Sequence, residues 1–266
     1  MGSLKNKEVS SVITIEDAKT LLRNIGIQNG DVLEVHASMK SIGFMLGGAN
    51  ALLDAILETI GFEGTIVMSA HSSDNSEPAY FQKPPIDVAL YQTIRENTPS
   101  FKGKFDDLYG MGQLAVALQK RPSVYFSNHP QVSMMSHGKH AKWITQSHPL
   151  NDMFGLRSPI AKMVELKTKV LLIGVEYDSC TGMHLGEVLS QKRPIIIQGS
   201  RMVVGSKEEW VKFLSHDFDS NDFNQVGRNM ELENKVSLSL LGNSVVKSFD
   251  LEYAVRSTQR YLEENL

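Results

Sequence analysis

Three short apolar runs, each passing directly into a polar string that contains histidine, constrain this chain most. Asp31 to Val35 runs into His36-Ala37-Ser38-Met39-Lys40-Ser41-Ile42-Gly43. Thr65-Ile66-Val67-Met68 is followed closely by His71-Ser72-Ser73-Asp74. Val170-Leu171-Leu172-Ile173-Gly174-Val175 leads to Tyr177-Asp178-Ser179-Cys180-Thr181-Gly182-Met183-His184-Leu185-Gly186-Glu187. Such short aliphatic and β-branched runs are strands. Gly47-Gly48 opens a helix over 49–60, with Leu52, Leu53, Ile56, Leu57 and Ile60 at helical spacing. The unit is therefore β–loop–α–β, as in a sheet covered by helices. Ligands of such folds gather at strand C-termini, so the three strings point toward one cleft. Each string taken alone also reads as an ordinary polar loop.

The rest of the chain continues the alternation. Thr14 caps a helix over 15–25 that ends at Gly26 and the Asn29-Gly30 turn. Residues 71–88, with Pro78, Pro84 and Pro85, form a long irregular stretch of the kind that usually serves function. Helices are expected at 88–97, 111–120, 138–146 and 159–166, the last with Ser158 as cap and Pro159 in its first turn. A further helix starts near 182. The segment 194–249 is expected to hold strands around a turn at Gly199-Ser200, an acidic helix near 220–233 and a hairpin turning at Gly242-Asn243; a last helix covers 250–264. No repeat or linker divides the chain. One α/β domain over 14–266 follows a flexible tail, 1–13, in which no apolar stretch marks a secretory signal.

Composition excludes several functions. Of the residues, 41% are hydrophobic and 21% charged, as in ordinary globular proteins. No apolar run approaches the roughly 18–20 residues that span a bilayer, so no membrane partner is expected. Lys plus Arg is 27 against 30 Asp plus Glu, a net charge of −3, which argues against nucleic acid as a partner. The lone cysteine, Cys180, builds neither an intrachain disulfide nor a cysteine zinc site, which suits the cytoplasm. Segment 206–235 carries seven acids and four bases, a balance of −3 that equals that of the whole chain. It reads either as a solvated face or as an acidic wall that attracts a cationic substrate.

The third polar string carries the most chemistry. Thr181 is placed to cap the helix beginning beside it, which puts His184 and Glu187 at i and i+3 on one helix face. A carboxylate beside an imidazole fixes its tautomer and makes it a general base; the same spacing also suits a surface pair. His-x-x-Glu is not the His-Glu-x-x-His zinc pattern, so no metal is expected. Cys180 is either a nucleophile or a small packing residue. The loop with Ser38, Ser41 and Gly43, backed by the Gly47-Gly48 helix start, is the best anion site, or a plain capping loop. There is no phosphate-binding P-loop, no nucleophile elbow and no pyrophosphate loop of the GNAT acetyltransferases.

From about 14 to 262 the chain resembles the antibiotic N-acetyltransferases, the aminoglycoside 3-N-acetyltransferase family. The motifs are Val35 to Gly43 with Gly47-Gly48-Ala49, Glu63 to Met68, His71 to Asp74 with Pro84-Pro85, Ile94-Arg95-Glu96 and Gly110-Met111-Gly112. Further along come Ser127-Asn128-His129-Pro130, His148-Pro149-Leu150 with Gly155 and Ser158-Pro159, and Val170 through Asp178, Thr181, His184 and Glu187. The resemblance implies a three-layer α/β/α sandwich with a central mixed sheet, distinct from the GNAT fold. It implies acetyl-CoA as co-substrate, with CoA along His36, Ala37, Ser38, Met39, Ser41, Ile42 and Gly43 and against Gly110, Met111 and Gly112. It makes His184 the catalytic base with Glu187 beside it. The implied acceptor is the 3-amino group of an aminoglycoside's 2-deoxystreptamine, with antibiotic resistance as the role and a monomer or homodimer as the assembly.

Departures from the family pattern line the expected cleft: His36-Ala37-Ser38 for His-Ser-Ser, Asp106 to Tyr109 before Gly110, Ser133 to Gly138 for Ser-Phe-Ala-Ala-Trp-Gly, and Met68-Ser69 for Met-Pro. The expectation is therefore retained chemistry on a cationic small-molecule amine, met by Asp74, Glu77, Asp178 and the acidic segment. Two rivals are a thioester hydrolase using the same pair and a CoA-binding protein with little catalysis. A hydrolase turns over acyl-CoA without an amine; a binding protein loses nothing when His184 is removed.

Overall fold

The computed structural model describes residues 11–266 apart from Ser73, Lys83 and Tyr109. Residues 1–10 of the expected tail, and Ser73 and Tyr109 from the motifs above, lie outside the described residues. Ile13, the last residue of that expected tail, is buried in the core and bridges to Met45.

The chain opens with α1 (Ile15–Asn24), β1 (Val32–Ala37), the single turn α2 (Met39–Ile42), α3 (Gly48–Ile60) and β2 (Thr65–Ser69). Then come α4 (Tyr91–Asn97), α5 (Gln113–Gln119), β3 (Tyr125–Phe126), β4 (Met134–Gly138), α6 (Ala141–Thr145), α7 (Pro159–Glu165) and β5 (Lys169–Ile173). The last third holds α8 (His184–Ser190), β6 (Ile195–Val204), β7 (Lys207–His216), α9 (Phe223–Leu232), β8 (Val236–Leu241), β9 (Ser244–Asp250) and α10 (Leu251–Asn265). Local chemistry explains the ends. Thr14 and Asp17 form a reciprocal capping box on α1. The Ser158 hydroxyl accepts from the Ile160 N–H while Pro159 occupies the first turn of α7.

Seven strands form one mixed sheet in the order β3-β4-β2-β1-β5-β9-β8. The central β2, β1 and β5 are parallel, and the flanking strands pair antiparallel. Their alternation separates two cores. Leu33, Val35, Ile66, Met68, Leu171 and Ile173 face one apolar cluster with α1, α3 and α5. Val32, Val67, Val170 and Leu172 face the other, with α7, α9 and α10. This is the three-layer α/β/α sandwich with a central mixed sheet.

Several elements differ from the sequence expectation. No turn occurs at Gly199-Ser200; β6 runs through them, pairs with β7 in a two-stranded ribbon, and turns after Val204. Gly199 is there for packing: a Cβ would come 2.3 Å from the Trp210 indole nitrogen. The first part of the acidic segment is thus a strand, β7. The expected helix at 138–146 divides into the end of β4 and the shorter α6. The ribbon is pinned to the irregular stretch, since the Asn75 side-chain amide donates to the Arg201 carbonyl (2.9 Å) and accepts from its N–H (2.7 Å).

Candidate active site

The C-terminal ends of β1, β2 and β5 surround a cleft of about 730 Å³. The first strand's exit supplies His36, Ala37, Ser38, Met39 and Gly43; the second, Ser69 and His71; the third, Ser179 and Thr181. Gly110, Met111 and Gly112 complete the lining. Two of the residues read as cofactor-binding sit elsewhere. Ile42 is fully buried in the first core cluster, so it anchors the loop from beneath. Ser41 stands behind Ser38, donating its hydroxyl to that of Ser38 at 2.8 Å. Lys40 also lines the cleft, whereas no described lining residue is acidic. Such a wall suits an anionic ligand better than a cationic one.

Thr181 does not cap α8. A single 3₁₀ turn, Thr181–Met183, precedes the helix, and the Thr181 hydroxyl is bonded to that of Ser69 at 2.7 Å, joining the end of β2 to the segment that follows β5. His184 and Glu187 do meet as their spacing predicts, with a short contact between His184 Nδ1 and Glu187 Oε2. Glu187 is fully buried. Its other oxygen accepts from Arg193 Nε at 2.6 Å and from the Asp219 N–H at 3.0 Å. Arg193 in turn donates to Asp222 Oδ2 and the Asp219 carbonyl, both at 2.8 Å. Burial works against the Arg193 charge, but its hydrogen bond to Glu187 and the charges of Glu187 and Asp222 outweigh this and raise its proton affinity. The pair is therefore a braced network.

The His184 ring stacks on Phe154 with centroids 4.6 Å apart, and Phe218 and Phe223 stand at 5.3 and 4.9 Å. Its Nε2 has no hydrogen-bond partner among the described residues. His184 does not itself line the cleft. His71 does, and Phe154, which stacks on His184, also neighbours the His71 ring with centroids 6.1 Å apart. Burial first, then the charges of His184 and His36, push His71 down to about 3. His71 is therefore neutral at physiological pH, and its buried Nε2 is unpartnered among the described residues.

The expected acceptor carboxylates do not gather. Glu77 is buried and ion-paired with Arg95, which takes both its oxygens. Asp74 is exposed in a turn, and Asp178 is exposed on a 3₁₀ turn beside the third strand. The acidic segment is largely engaged: Asp222 with Arg193, Glu208 with Arg201, Glu231 with the Tyr177 hydroxyl, and Glu233 with Tyr253 and Arg260. None of its residues lines the cleft, so the acidic wall is not assembled there. Cys180 is fully buried; burial, and then the Glu34 charge, push its thiol well up, so it stays protonated. Among the described residues no group of three or more His, Cys, Asp or Glu is placed to hold a metal, and no helix is long and apolar enough to cross a membrane.

The sequence reading missed Arg193, Phe154 and Phe218 around His184, and Glu34 beneath His36. Glu34 alone carried a local signal, since alternate residues of a strand share a face.

A family profile described as aminoglycoside 3-N-acetyltransferase matches residues 35–263. The SPbeta prophage-derived aminoglycoside N(3')-acetyltransferase-like protein YokD of Bacillus subtilis is 32% identical over 92% of this chain and 90% of its own. Its crystal structure superposes with a TM-score of 0.90 over 97% of this chain and 96% of that one. Aminoglycoside N(3)-acetyltransferase III of Pseudomonas aeruginosa is 28% identical over 90% of this chain and 89% of its own. AAC-IIIb, solved as a binary complex with CoASH, shares the fold at a TM-score of 0.84, covering 96% and 98% of the two chains at 23% identity. The molecule is thus an acyltransferase on a non-GNAT α/β/α sandwich. It belongs to the aminoglycoside 3-N-acetyltransferase family.

Proposed function

We propose that this protein transfers the acetyl group of acetyl-CoA directly to a primary amine, with His184 as the general base. The observation that carries this reading is the His184–Glu187 pair: an imidazole fixed through Nδ1 by a braced, fully buried carboxylate, with Nε2 unpartnered among the described residues. The co-substrate's phosphates and pantetheine fit the neighbouring cleft, which offers Lys40, hydroxyls and glycine-rich backbone and no described carboxylate.

At neutral pH the amine arrives as an ammonium ion and cannot attack a thioester. His184 Nε2 removes a proton, directly or through a water, and the nitrogen lone pair then attacks the carbonyl carbon. Placing both substrates in one site supplies the proximity term. Buried, protonated Cys180 takes no part.

By family the acceptor is an aminoglycoside. The surroundings of His184 favour an amine of lower charge, because Phe154 and Phe218 flank the base while the nearby acids are paired with Arg193. The experiment is thiol release from acetyl-CoA with a panel of aminoglycosides and simpler amines at low and high salt. Turnover that requires an amine supports transfer; equal turnover without one makes the protein a hydrolase. An acceptor KM rising with ionic strength identifies a cation bound through exposed charges, since screening acts over about 8–10 Å at physiological salt.

A further inference from the structure

A second carboxylate–imidazole pair lies under the cleft. Strand periodicity sends Glu34 and His36 to the same face of β1, and His36 Nε2 stands 2.9 Å from Glu34 Oε1. That oxygen also accepts from the Gly182 N–H at 2.8 Å. Glu34 is fully buried, and its Oε2 has no partner among the described residues. Gly182 is part of the fit, because a Cβ there would come within 2.4 Å of Oε2. Burying a carboxylate with one oxygen bare is costly, and a retained group of that kind calls for an explanation.

The geometry supplies one. With Oε1 accepting from Gly182 and from His36 Nε2–H, the remaining His36 nitrogen, Nδ1, has no partner among the described residues, and His36 lines the cleft. The mirror arrangement holds at His184, where Nδ1 is held and Nε2 is left over. A carboxylate behind an imidazole stabilises the imidazolium that acts from its opposite nitrogen. Besides Glu34, the ionisable groups of the cleft wall around His36 are Lys40 and His71, and His71 is neutral.

We infer that His36 is a catalytic proton donor to the sulfur of the departing coenzyme, and that Glu34 is the positioning residue that holds it. This rests on the acetyl-transfer reading above. His184 takes the proton that makes the amine an ammonium ion and passes it to solvent, the C–N bond forms as the freed lone pair attacks, His184 takes the second proton from that nitrogen, and the C–S bond breaks with its electron pair passing to sulfur. His36 Nδ1–H then delivers a proton to that sulfur, giving the free thiol. His184 releases its proton to solvent, and His36 regains one.

The test needs CoA alone, so it is decided whatever the acceptor proves to be. The ultraviolet absorbance of the thiolate is followed against pH for CoA bound to the wild type, Glu34→Gln and His36→Asn. An imidazolium beside the sulfur favours thiolate, as it does for cysteine. The wild type is expected to ionise the bound thiol at lower pH than free CoA does. Both variants should shift it back toward free CoA, reducing the thiolate fraction at a given pH about tenfold per unit. If Glu34→Gln does not fold, Glu34→Met, which fills the same space, takes its place. Identical titrations in wild type and His36→Asn overturn the donor role. A shift retained in the folded Glu34 variant overturns the positioning role. Amine acetylation dependent on His184, together with an unshifted thiol, would leave the transfer reading standing and this inference refuted.

Discussion

Glu187 and Glu34 are both fully buried carboxylates that hold an imidazole, and they are compensated very differently. Glu187 receives His184 on one oxygen and Arg193 with the Asp219 N–H on the other, and Asp222 shares the arginine. Glu34 receives His36 and the Gly182 N–H on a single oxygen, and its Oε2 has no partner among the described residues. A buried anion is tolerable when a well-aimed guanidinium answers it and is a burden when one of its oxygens goes unanswered. The first site is therefore a rigid anchor, while the second carries a stability cost that only function accounts for.

Acid destabilises the fold that carries both sites, through three buried imidazoles. Burial pushes His71 and His129 down to about 3 and His148 to about 4. In the unfolded chain each returns to roughly 6.5, so below that pH the unfolded state binds more protons than the folded one. Stability is therefore intact above about 6.5 and falls as pH drops toward 4, by up to ~1.4 kcal/mol per pH unit for each group. Denaturant midpoints between pH 7 and 4.5 should decline steadily; a flat profile would show that these imidazoles can be protonated in place.

Arg193→Met makes Glu187 resemble Glu34. It removes the guanidinium and leaves a buried carboxylate with fewer donors, a change that costs about 3–5 kcal/mol. Chemical denaturation measures it, and a loss below ~1 kcal/mol would mean that the network is not the anchor described. The smallest effect is at the other site. Glu34→Met replaces an under-compensated carboxylate with an apolar side chain of similar volume. Stability should stay level or rise by ~1 kcal/mol; a large loss would show that Glu34 is a structural pillar.

The contrast also marks what the sequence made legible. The β–loop–α–β pattern, the cap at Thr14 and the Gly242-Asn243 hairpin depend on neighbours within a few residues, and the structure contains them. The i, i+3 contact of His184 with Glu187 is equally local. Arg193 and Phe154 reach the same site from beyond a left-handed turn at Gln191 and from a loop, where no period points. Gly199 looked like a turn because glycine usually breaks strands, but here it makes room for Trp210 across the ribbon. The acids of 206–235 look free in a charge count, and only tertiary pairing reveals how many are engaged.

His184→Ala tests the central claim most directly, with acetyl transfer and CoA affinity measured on the same preparation. Loss of the general base should lower kcat by ~10²–10⁴, roughly 3–5 kcal/mol of barrier, and leave the dissociation constant for CoA within about threefold. Turnover near that of the wild type, or a loss of activity explained entirely by lost CoA binding, would contradict it.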